Sequence, residues 1–502
     1  MRDPHKRPSS PASASPERQH ARQRLDALLR ARKFGEAAEL LDARLRLNPR
    51  DGECLRLRAV VDQLAGRTAS AAHYAERSEA IESHPDTLVI LARASAQAGR
   101  TDEALSRCRA LLAMMPGDIE TRLTMARALE AAVRTREARE VLEPLIKEVQ
   151  GTDTAAEMQA QYLLAAVLVH EKREGEAVES LDRSVLARAA PDALRRSAFY
   201  LRAKACDRLK RYDEAWESAA AANAIGEPQF DPEGYRAGVQ ALMSHWTRRM
   251  MADFPSSHST SEVPVFIAGM PRSGTSLLDQ VIDAHVQAAG VGEMAGIEQF
   301  ARQLEAVWDA SLPAPDSFGP MRDRAFKNMA AAYITECQKQ APRATRIVNK
   351  ALGNNRIVGL LARLFPKTRI IHAIRDPRDV AVSCFMGGFN NAFYPWTARV
   401  DWIAVAWDES RRLIEHWKRE TDLPIMDVRY EDVVTNPGEE FPRFIEFLGL
   451  EWDEGCSRFH ESKRTVRTLS YDQVNRPLYA SSVNRWQHYE KFLPGVQWSN
   501  YR

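Results

Sequence analysis

The sequence predicts an α plus α/β multidomain chain, in which an N-terminal α-solenoid precedes a three-layer α/β domain with a mainly parallel sheet. Two observations predict it. A helix-hairpin signature recurs through the first 230 residues, and near residue 263 a buried strand runs into a glycine-bounded loop and a helix. The length of 502 residues also exceeds that of one ordinary domain.

The composition is that of a water-soluble globular protein. Hydrophobic residues make up 44% and charged residues 27%, and the formal net charge is only +2. With this balance the chain as a whole has no electrostatic attraction to nucleic acid. The sequence contains no run of eighteen apolar residues, so no membrane span is predicted. Residues 1–20 are rich in Pro, Ser and Arg and lack the apolar core of a signal peptide, so we expect a disordered tail and a cytoplasmic protein.

The cysteines carry no metal or disulfide signature. There are 6 of them, scattered without a CxxC pair. We expect buried, reduced thiols and no metal site.

Residues 21–230 carry an internal repeat. Each unit has an alanine near the start of a helix and a proline or glycine 12 to 14 residues later, as expected of a helix hairpin whose second helix is then broken. The alanines follow one another at steps of 34, 33, 34, 39 and 38 residues: Ala37, Ala71, Ala104, Ala138, Ala177 and Ala215. The second markers are Pro49, Pro85, Pro116, Gly151, Pro191 and Pro228.

This pattern resembles the tetratricopeptide repeat, with roughly six units over about 200 residues. Such arrays stack into a curved solenoid with a concave surface. We therefore expect this part to bind a protein partner or substrate, or to self-associate.

Residues 231–261 are predicted to form a linking helix and loop, and residues 262–502 a P-loop-type domain. The strand at 263–268 leads into Gly269, and the spacing Gly269-x4-Gly274 is that of a phosphate-binding loop. Backbone N–H groups before the next helix can converge on an oxyanion there. Thr275 stands where a nucleoside triphosphatase has lysine, and Arg272 supplies a cation inside the loop instead.

The run Pro271-Arg272-Ser273-Gly274-Thr275-Ser276-Leu277-Leu278 resembles the 5′-phosphosulfate loop of sulfotransferases that use 3′-phosphoadenosine 5′-phosphosulfate (PAPS). It is most similar to that of tyrosylprotein sulfotransferases and of bacterial sulfotransferases with tetratricopeptide repeats. The resemblance extends from about residue 263 to the C-terminus. It implies PAPS as donor, no metal, and Arg272 to Ser276 as donor-binding residues, with Arg272 also catalytic.

A second anion-binding element follows another strand, 369–374. Arg375 at its end and Ser383 eight positions later can reach one anion if Ser383 lies on the following helix. The pair matches the family's 3′-phosphate element, and a free 3′-phosphate distinguishes PAPS from ATP.

Glu293 is the expected general base, because the resembling enzymes place a glutamate after this loop and sulfuryl transfer requires removal of the acceptor proton. Glu298 ranks second as the base. His285 is a competing candidate, but its position at the end of the loop helix favours a structural role in a turn. Lys350 matches the family's lysine near the leaving group. Asn354 fits the same motif as a supporting polar group.

Three further stretches complete the resemblance. Tyr430 follows a strand-like segment, 425–429, and matches the family's tyrosine that lies near the nucleotide, so the resemblance implies a cofactor contact. Near the C-terminus, Ser470 matches the serine near the phosphosulfate and is expected to be catalytic and donor-binding. Gln473 belongs to the same cofactor-covering loop, and Arg485 takes the place of a basic residue near the 3′-phosphate.

The resemblance implies transfer of a sulfuryl group to an acceptor hydroxyl. The donor motifs leave a peptide tyrosine, a glycan and a small molecule open as acceptors. Two other functions stay open: a P-loop nucleotide kinase, and a repeat scaffold with a vestigial sulfotransferase domain.

Overall fold

The computed structural model of the chain describes residues 16–294, 296–297, 300, 323–461, 478, 482–493 and 498. The chain divides into two compact units, Met1–Leu194 and Arg195–Arg502.

The first unit is built from helices arranged as successive hairpins. They are α1 (Pro16–Arg30), α2 (Phe34–Leu47), α3 (Gly52–Leu64), α4 (Thr68–Glu79), α5 (Pro85–Gln97), α6 (Thr101–Met114), α7 (Ile119–Ala131), α8 (Thr135–Val149), α9 (Thr154–His170) and α10 (Glu174–Arg183). A further pair, α11 (Asp192–Arg208) and α12 (Tyr212–Ala224), continues the pattern.

The turn inside each hairpin repeats one backbone motif. A residue with positive φ precedes the second helix. The N–H of the residue after it donates to the carbonyl five positions earlier in the chain, as Arg67 does to Asp62 at 2.8 Å. This is the Schellman arrangement, which satisfies carbonyls at the helix end. The residues with positive φ recur at the same steps as the marker alanines: Arg32, Gly66, Gly99, Val133, Lys172 and Lys210.

The marker alanines lie where the paired helices meet, and all six have 0% exposure. A larger side chain would separate the helices, so the predicted repeat rests on close packing. The second marker is less uniform than expected. Pro49 and Pro116 follow helix ends, but Pro85 is the first residue of α5, a position where proline is favoured because it needs no N–H partner.

The second unit begins within α11, so α12, with its marker Ala215, lies in the unit that holds the α/β fold. The predicted domain limits at residues 230 and 261 remain predictions. After α12 come α13 (Pro232–His245), α14 (Arg248–Ala252), β1 (Pro264–Gly269), α15 (Thr275–Asp283), β2 (Ala288–Gly292), α16 (Asp323–Gln340), β3 (Arg346–Asn349), α17 (Val358–Leu364), β4 (Arg369–Ile374), α18 (Pro377–Phe385), α19 (Val400–Glu420), β5 (Ile425–Arg429), α20 (Tyr430–Thr435) and α21 (Pro437–Phe447). Short 3₁₀ helices include Asn354–Arg356, Glu454–Glu461 and Arg485–Phe492.

The five strands form a parallel sheet in the order β2-β3-β1-β4-β5. Side chains alternate between its faces. Phe266 and Ile370 pack on one side with Trp417 of α19, whereas Val265 and Ile371 pack on the other with helices α15 and α21. Both faces are buried, as a parallel sheet requires, and the predicted three-layer α/β fold is confirmed.

None of the described helices combines the length and the apolar character needed to cross a membrane.

The core beneath the sheet leaves no space at Gly359 in α17. A Cβ built there would lie 2.6 Å from Cε3 of Trp246 and 2.8 Å from Cζ3 of Trp417. Gly359→Ala should therefore destabilise the second unit by about 1–3 kcal/mol through overpacking, which thermal or urea unfolding would measure. Gly438→Ala is the control, because its Cβ would meet nothing within 4 Å. Equal stability of the two variants would contradict the packing described here.

Candidate active site

The strand order places the candidate site at the carboxyl end of β1. The chain passes from β1 to β2 and β3 on one side, and then crosses to β4 and β5 on the other. In open α/β sheets the crevice at such a reversal is where ligands bind. The loops that leave β1, β3 and β4 meet at this edge.

The loop after β1 has a backbone that only particular residues tolerate. Gly269 has φ of 149°, and a Cβ there would lie 2.6 Å from the carbonyl oxygen of Ala373. Gly274 has φ of 98°, and its Cβ would lie 2.7 Å from Cδ2 of Tyr430. Glycine is needed at both ends because the loop lies directly against β4 and the tyrosine ring.

The predicted donor-binding residues of this loop lie at the start of α15. Ser273, Thr275 and Ser276 are all buried. The Ser273 hydroxyl donates to the Met270 carbonyl at 2.6 Å and so closes the loop on itself. Gly274 occupies the capping position of α15 and brings no side chain to cap it. A helix start of this kind favours an anion through its N–H groups.

Arg272 joins the loop to the second predicted element. Its Nε donates to the Ser383 hydroxyl on α18 at 2.7 Å, although the two residues are 111 positions apart. Nη1 of Arg375 donates to the Arg272 carbonyl at 3.0 Å. The structure thus brings Arg272, Arg375 and Ser383 together.

Arg375 is 6% exposed and is held from several sides. Its guanidinium lies 4.7 Å from the centre of the Tyr430 ring, and its Nη2 lies 3.7 Å from Asp379 and donates to the Ser482 carbonyl. Its Nε is buried and, among the described residues, has no hydrogen-bond partner. A buried unsatisfied donor is costly, so this atom suits an anionic ligand that would satisfy it.

The sheet register brings Glu293 and Lys350 together. Gly292 at the end of β2 is the register partner of Asn349 at the end of β3, and the Lys350 N–H donates to the Gly292 carbonyl at 2.9 Å. Nζ of Lys350 then donates to Oε1 of Glu293, also at 2.9 Å. The Lys350 side chain is 2% exposed and that of Glu293 is 43% exposed. A carboxylate is therefore open to solvent on one side and held by a buried ammonium on the other.

Two asparagines support this pair. The amide of Asn349 donates to the Met294 carbonyl at 2.8 Å, and that of Asn354 donates to the carbonyls of Ile267 and Asn349, both at 3.0 Å. Asn354 thus links the ends of β1 and β3. The sequence predicted Asn354 in a supporting role but did not single out Asn349.

His285 lies in a turn, and both of its ring nitrogens contact backbone. Nδ1 is 3.0 Å from the Gln287 N–H, and Nε2 is 2.8 Å from the Glu451 carbonyl. The first contact makes Nδ1 the acceptor, so Nε2 carries the proton and donates. His285 is 3% exposed, which leaves little room for it to act as a base.

Tyr430 contacts a residue that precedes α18, whereas Arg485 contacts one that follows it. Tyr430 packs on Gly274 and Arg375, and burial raises the pKa of its hydroxyl, so the ring acts as a neutral surface. Arg485 pairs with Asp207 of α11 at 2.9 Å and contacts the sulfur of Met386, just beyond α18. Ser470, Gln473 and Glu298 lie outside the described residues.

The sequence did not identify Asp379, which organises the same region. It is buried and accepts the N–H groups of Asn484 at 2.9 Å and Trp486 at 2.8 Å. Burial raises the pKa of this carboxyl, while Arg375 and the two N–H groups act against that rise. The two N–H groups that it accepts lie 105 and 107 positions away, so no local pattern in the sequence pointed to it.

A cavity of about 340 Å³ lies beside Ser273 and Arg375 and is lined by β4, β5 and α19. On its wall, Nδ1 of His372 is 2.9 Å from Asp427, which also accepts from Lys418 at 2.7 Å. Burial raises the pKa of Asp427, but these two partners outweigh it and hold the pKa at about 2. Asp427 is therefore ionised at neutral pH and serves an ion-pair network rather than proton transfer.

Residues 264–454 match the family model described as Sulfotransferase family, and residues 95–162 match one described as Tetratricopeptide repeat. The chain carries a sulfotransferase-family domain. The matched segment contains the loop after β1, Glu293, Lys350, the Arg375–Ser383 element and Tyr430.

Similar proteins include an uncharacterized protein of Aquifex aeolicus (strain VF5), which is 28% identical over 65% of this chain, and the chain spans 44% of that relative's length. Protein-tyrosine sulfotransferase A of Caenorhabditis elegans is 23% identical over 50% of this chain and 67% of its own length. Among solved structures, the sulfotransferase domain of the Synechococcus PCC 7002 olefin synthase is 19% identical, covers 49% of this chain and 99% of that domain, and has a TM-score of 0.35.

The contacts of His285 predict a structural effect of its removal. His285→Ala removes its two hydrogen bonds, to the Gln287 N–H and to the Glu451 carbonyl, and at about 0.5–1.5 kcal/mol each this should lower the unfolding free energy by about 1–3 kcal/mol. Val286→Ala is the control, because Val286 is 80% exposed and should change stability by less than about 0.5 kcal/mol. Denaturant unfolding of both variants provides the measurement, and a His285→Ala protein of unchanged stability would refute the turn role.

Proposed function

We propose that the chain transfers a sulfuryl group from PAPS to an acceptor hydroxyl. The observation that carries the proposal is the hydrogen bond of 2.7 Å between Arg272 and Ser383, because it joins the two predicted anion-binding elements at one edge of the sheet. A donor with phosphate groups at both its 5′ and its 3′ positions requires two such elements side by side. The match of residues 264–454 to the sulfotransferase family supports the same conclusion.

The donor would be held by residues already brought together. The N–H groups at the start of α15 and the guanidinium of Arg272 would bind the 5′-phosphosulfate, and Arg375 and Ser383 the 3′-phosphate. Tyr430 would offer its ring to the nucleoside, and Arg485, Ser470 and Gln473 are proposed as further donor contacts. PAPS, when bound, supplies the activated sulfuryl group.

Glu293 is the proposed general base. Its carboxylate is 43% exposed, so an acceptor hydroxyl can approach it, and its contact with Lys350 fixes its position. Proton removal by a placed carboxylate lets the acceptor oxygen attack as its proton leaves.

Lys350 and Arg272 are proposed to stabilise the negative charge on the sulfuryl oxygens and on the phosphate that leaves as the sulfuryl group is transferred. Lys350 is 2% exposed, and a desolvated ammonium stabilises developing charge more strongly than one in water. Ser470, which is implied by the family resemblance, is proposed to donate a further hydrogen bond to the same charged oxygens.

The acceptor class is a separate proposal. The Caenorhabditis elegans relative carries the name protein-tyrosine sulfotransferase, which favours a phenolic hydroxyl on a peptide. The repeat segment at 95–162 suits a protein partner or substrate. A screen of tyrosine peptides, sugars and small phenols with labelled PAPS would identify the acceptor, and a parallel arm with labelled ATP tests the kinase alternative.

Ser383 tests the 3′-phosphate element. The protein should bind 3′-phosphoadenosine 5′-phosphate much more tightly than 5′-AMP, and Ser383→Ala should lose about 1.5–3 kcal/mol of affinity for the bisphosphate alone. Calorimetry with both nucleotides provides the measurement. Thr435→Ala, which removes an exposed hydroxyl bonded within its own helix, is the control. Equal affinities of the unmodified protein for the two nucleotides would contradict the proposed donor.

Glu293 tests the chemistry. Glu293→Gln keeps the shape of the side chain but cannot accept a proton, so turnover at saturating donor should fall about 10²–10⁴-fold while donor affinity changes little. Glu336→Gln is the control, since Glu336 is an exposed carboxylate that pairs with Lys339 at 3.5 Å.

The acceptor decides how large the Glu293 effect should be. A phenol, with a pKa of about 10, needs less help from a base than an alcohol does. The comparison is therefore sharpest with a sugar acceptor, where turnover of Glu293→Gln at the level of Glu336→Gln would show that another residue is the base.

A further inference from the structure

The helix pair α11–α12 lies against the elements that carry the 3′-phosphate residues, although its sequence belongs to the repeat pattern. Residues 195–224 of this pair share one compact unit with residues 377–461 and 482–493. One hydrophobic cluster contains Trp216 and Ala219 of α12, Val380 and Phe385 of α18, and Tyr489 near the C-terminus. The pair therefore packs directly against α18, the helix that carries Ser383.

The first link is a hydrogen bond to the end of α18. The last carbonyls of a helix lack partners within the helix and must find them elsewhere. Nδ2 of Asn223 donates to the Phe385 carbonyl at 2.9 Å, and both atoms are buried. Phe385 is the last residue of α18, two positions after Ser383. Asn223 thus fixes the helical turn that presents the Ser383 hydroxyl.

Asn223 is itself held in place. Its Oδ1 accepts the hydroxyl of Tyr200 on α11 at 2.7 Å, which sets which side of the amide faces Phe385. The ring of Tyr200 packs against Gly388, where an added Cβ would lie 3.4 Å from Cδ2 of Tyr200. The indole of Trp216 stacks on the Phe385 ring with 4.3 Å between centres. Both helices of the pair therefore contact the end of α18 or the residues just after it and hold them in place.

The second link reaches the C-terminal segment. Asp207 of α11 pairs with Arg485 at 2.9 Å and accepts the hydroxyl of Tyr489. Trp216 also stacks on Phe492, with ring centres 4.9 Å apart. Asp379 of α18 accepts two N–H groups from the same segment. The helix pair, α18 and residues 482–493 consequently hold one another.

We propose that Asn223 is a positioning residue of the 3′-phosphate site. The α11–α12 pair then contributes to the sulfotransferase-family unit and not to the preceding repeat hairpins, which are proposed to bind a partner. The inference rests on the proposed function, because it assigns the 3′-phosphate to Ser383 and Arg375. Asn223 does not touch the donor; it acts through the last turn of α18. Its effect should therefore fall on the 3′-phosphate and not on the rest of the nucleotide.

The test uses the full chain and two nucleotides, 3′-phosphoadenosine 5′-phosphate and 5′-AMP. Asn223→Leu has a similar volume but cannot donate to Phe385, and the preference for the bisphosphate should fall about 5–30-fold while 5′-AMP affinity stays unchanged. Ser218→Ala is the matched control, because Ser218 is buried in α12 and bonds to Arg202 and to the Glu214 carbonyl within the helix pair. It should lower the melting temperature without changing the preference.

Each outcome bears on the proposal in a defined way. A purely structural role predicts that Asn223→Leu weakens both nucleotides alike or only lowers the melting temperature, and either result overturns the inference. If Asn223→Leu does not fold, Tyr200→Phe decides, since it removes only the hydroxyl that orients Asn223, and an unchanged preference then overturns the inference. An unmodified protein without any preference for the bisphosphate overturns the proposed function itself, and the inference with it.

Discussion

The register of β1 between β3 and β4 is the constraint on which the candidate site depends. Phe266 is the register partner of Asn349, and Gly269 is the partner of Ala373. The residues that follow β4 therefore leave the sheet at the level of the loop after β1, and those that follow β3 leave it beside the last residues of β1. Because a slip of one residue would exchange the two faces of a strand, burial of both faces fixes this register strongly. Charged groups that are far apart in sequence therefore meet at one edge of the sheet.

The loop after β1 is strained at Arg272, a residue proposed to bind the donor. Arg272 has φ of 70°, a left-handed conformation that costs a residue with a Cβ about 1–2 kcal/mol. The conformation persists because Ser383 accepts from its side chain and Arg375 donates to its carbonyl. Strain held by its surroundings is common at ligand sites. Arg272 is thus aimed before any ligand arrives, which reduces the ordering cost of binding.

Local patterns predicted much of this arrangement, and longer-range contacts account for the rest. The strands at 369–374 and 425–429 were predicted with the bounds observed, because runs of apolar residues end there at charged ones. The strand β2 was not predicted, since Ala288–Gly292 has little intrinsic strand preference and pairs only through β3. Asp379 and Asn223 were missed for a similar reason: each acts on a backbone group distant in sequence, which no local spacing reveals.

The helix pair α11–α12 shows how far a repeat signature can be taken. Its turn and its marker Ala215 follow the same rules as the preceding hairpins, so local geometry is conserved within the chain. One position differs: Asn223 stands eight residues after the marker, where four earlier hairpins have an apolar residue and one has Glu79. A polar group at this position suits the capping of a helix end, whereas a leucine suits another apolar helix face. The periodicity therefore predicts the shape of a hairpin, whereas contacts such as those of Asn223 and Trp216 with Phe385 join this hairpin to the second unit.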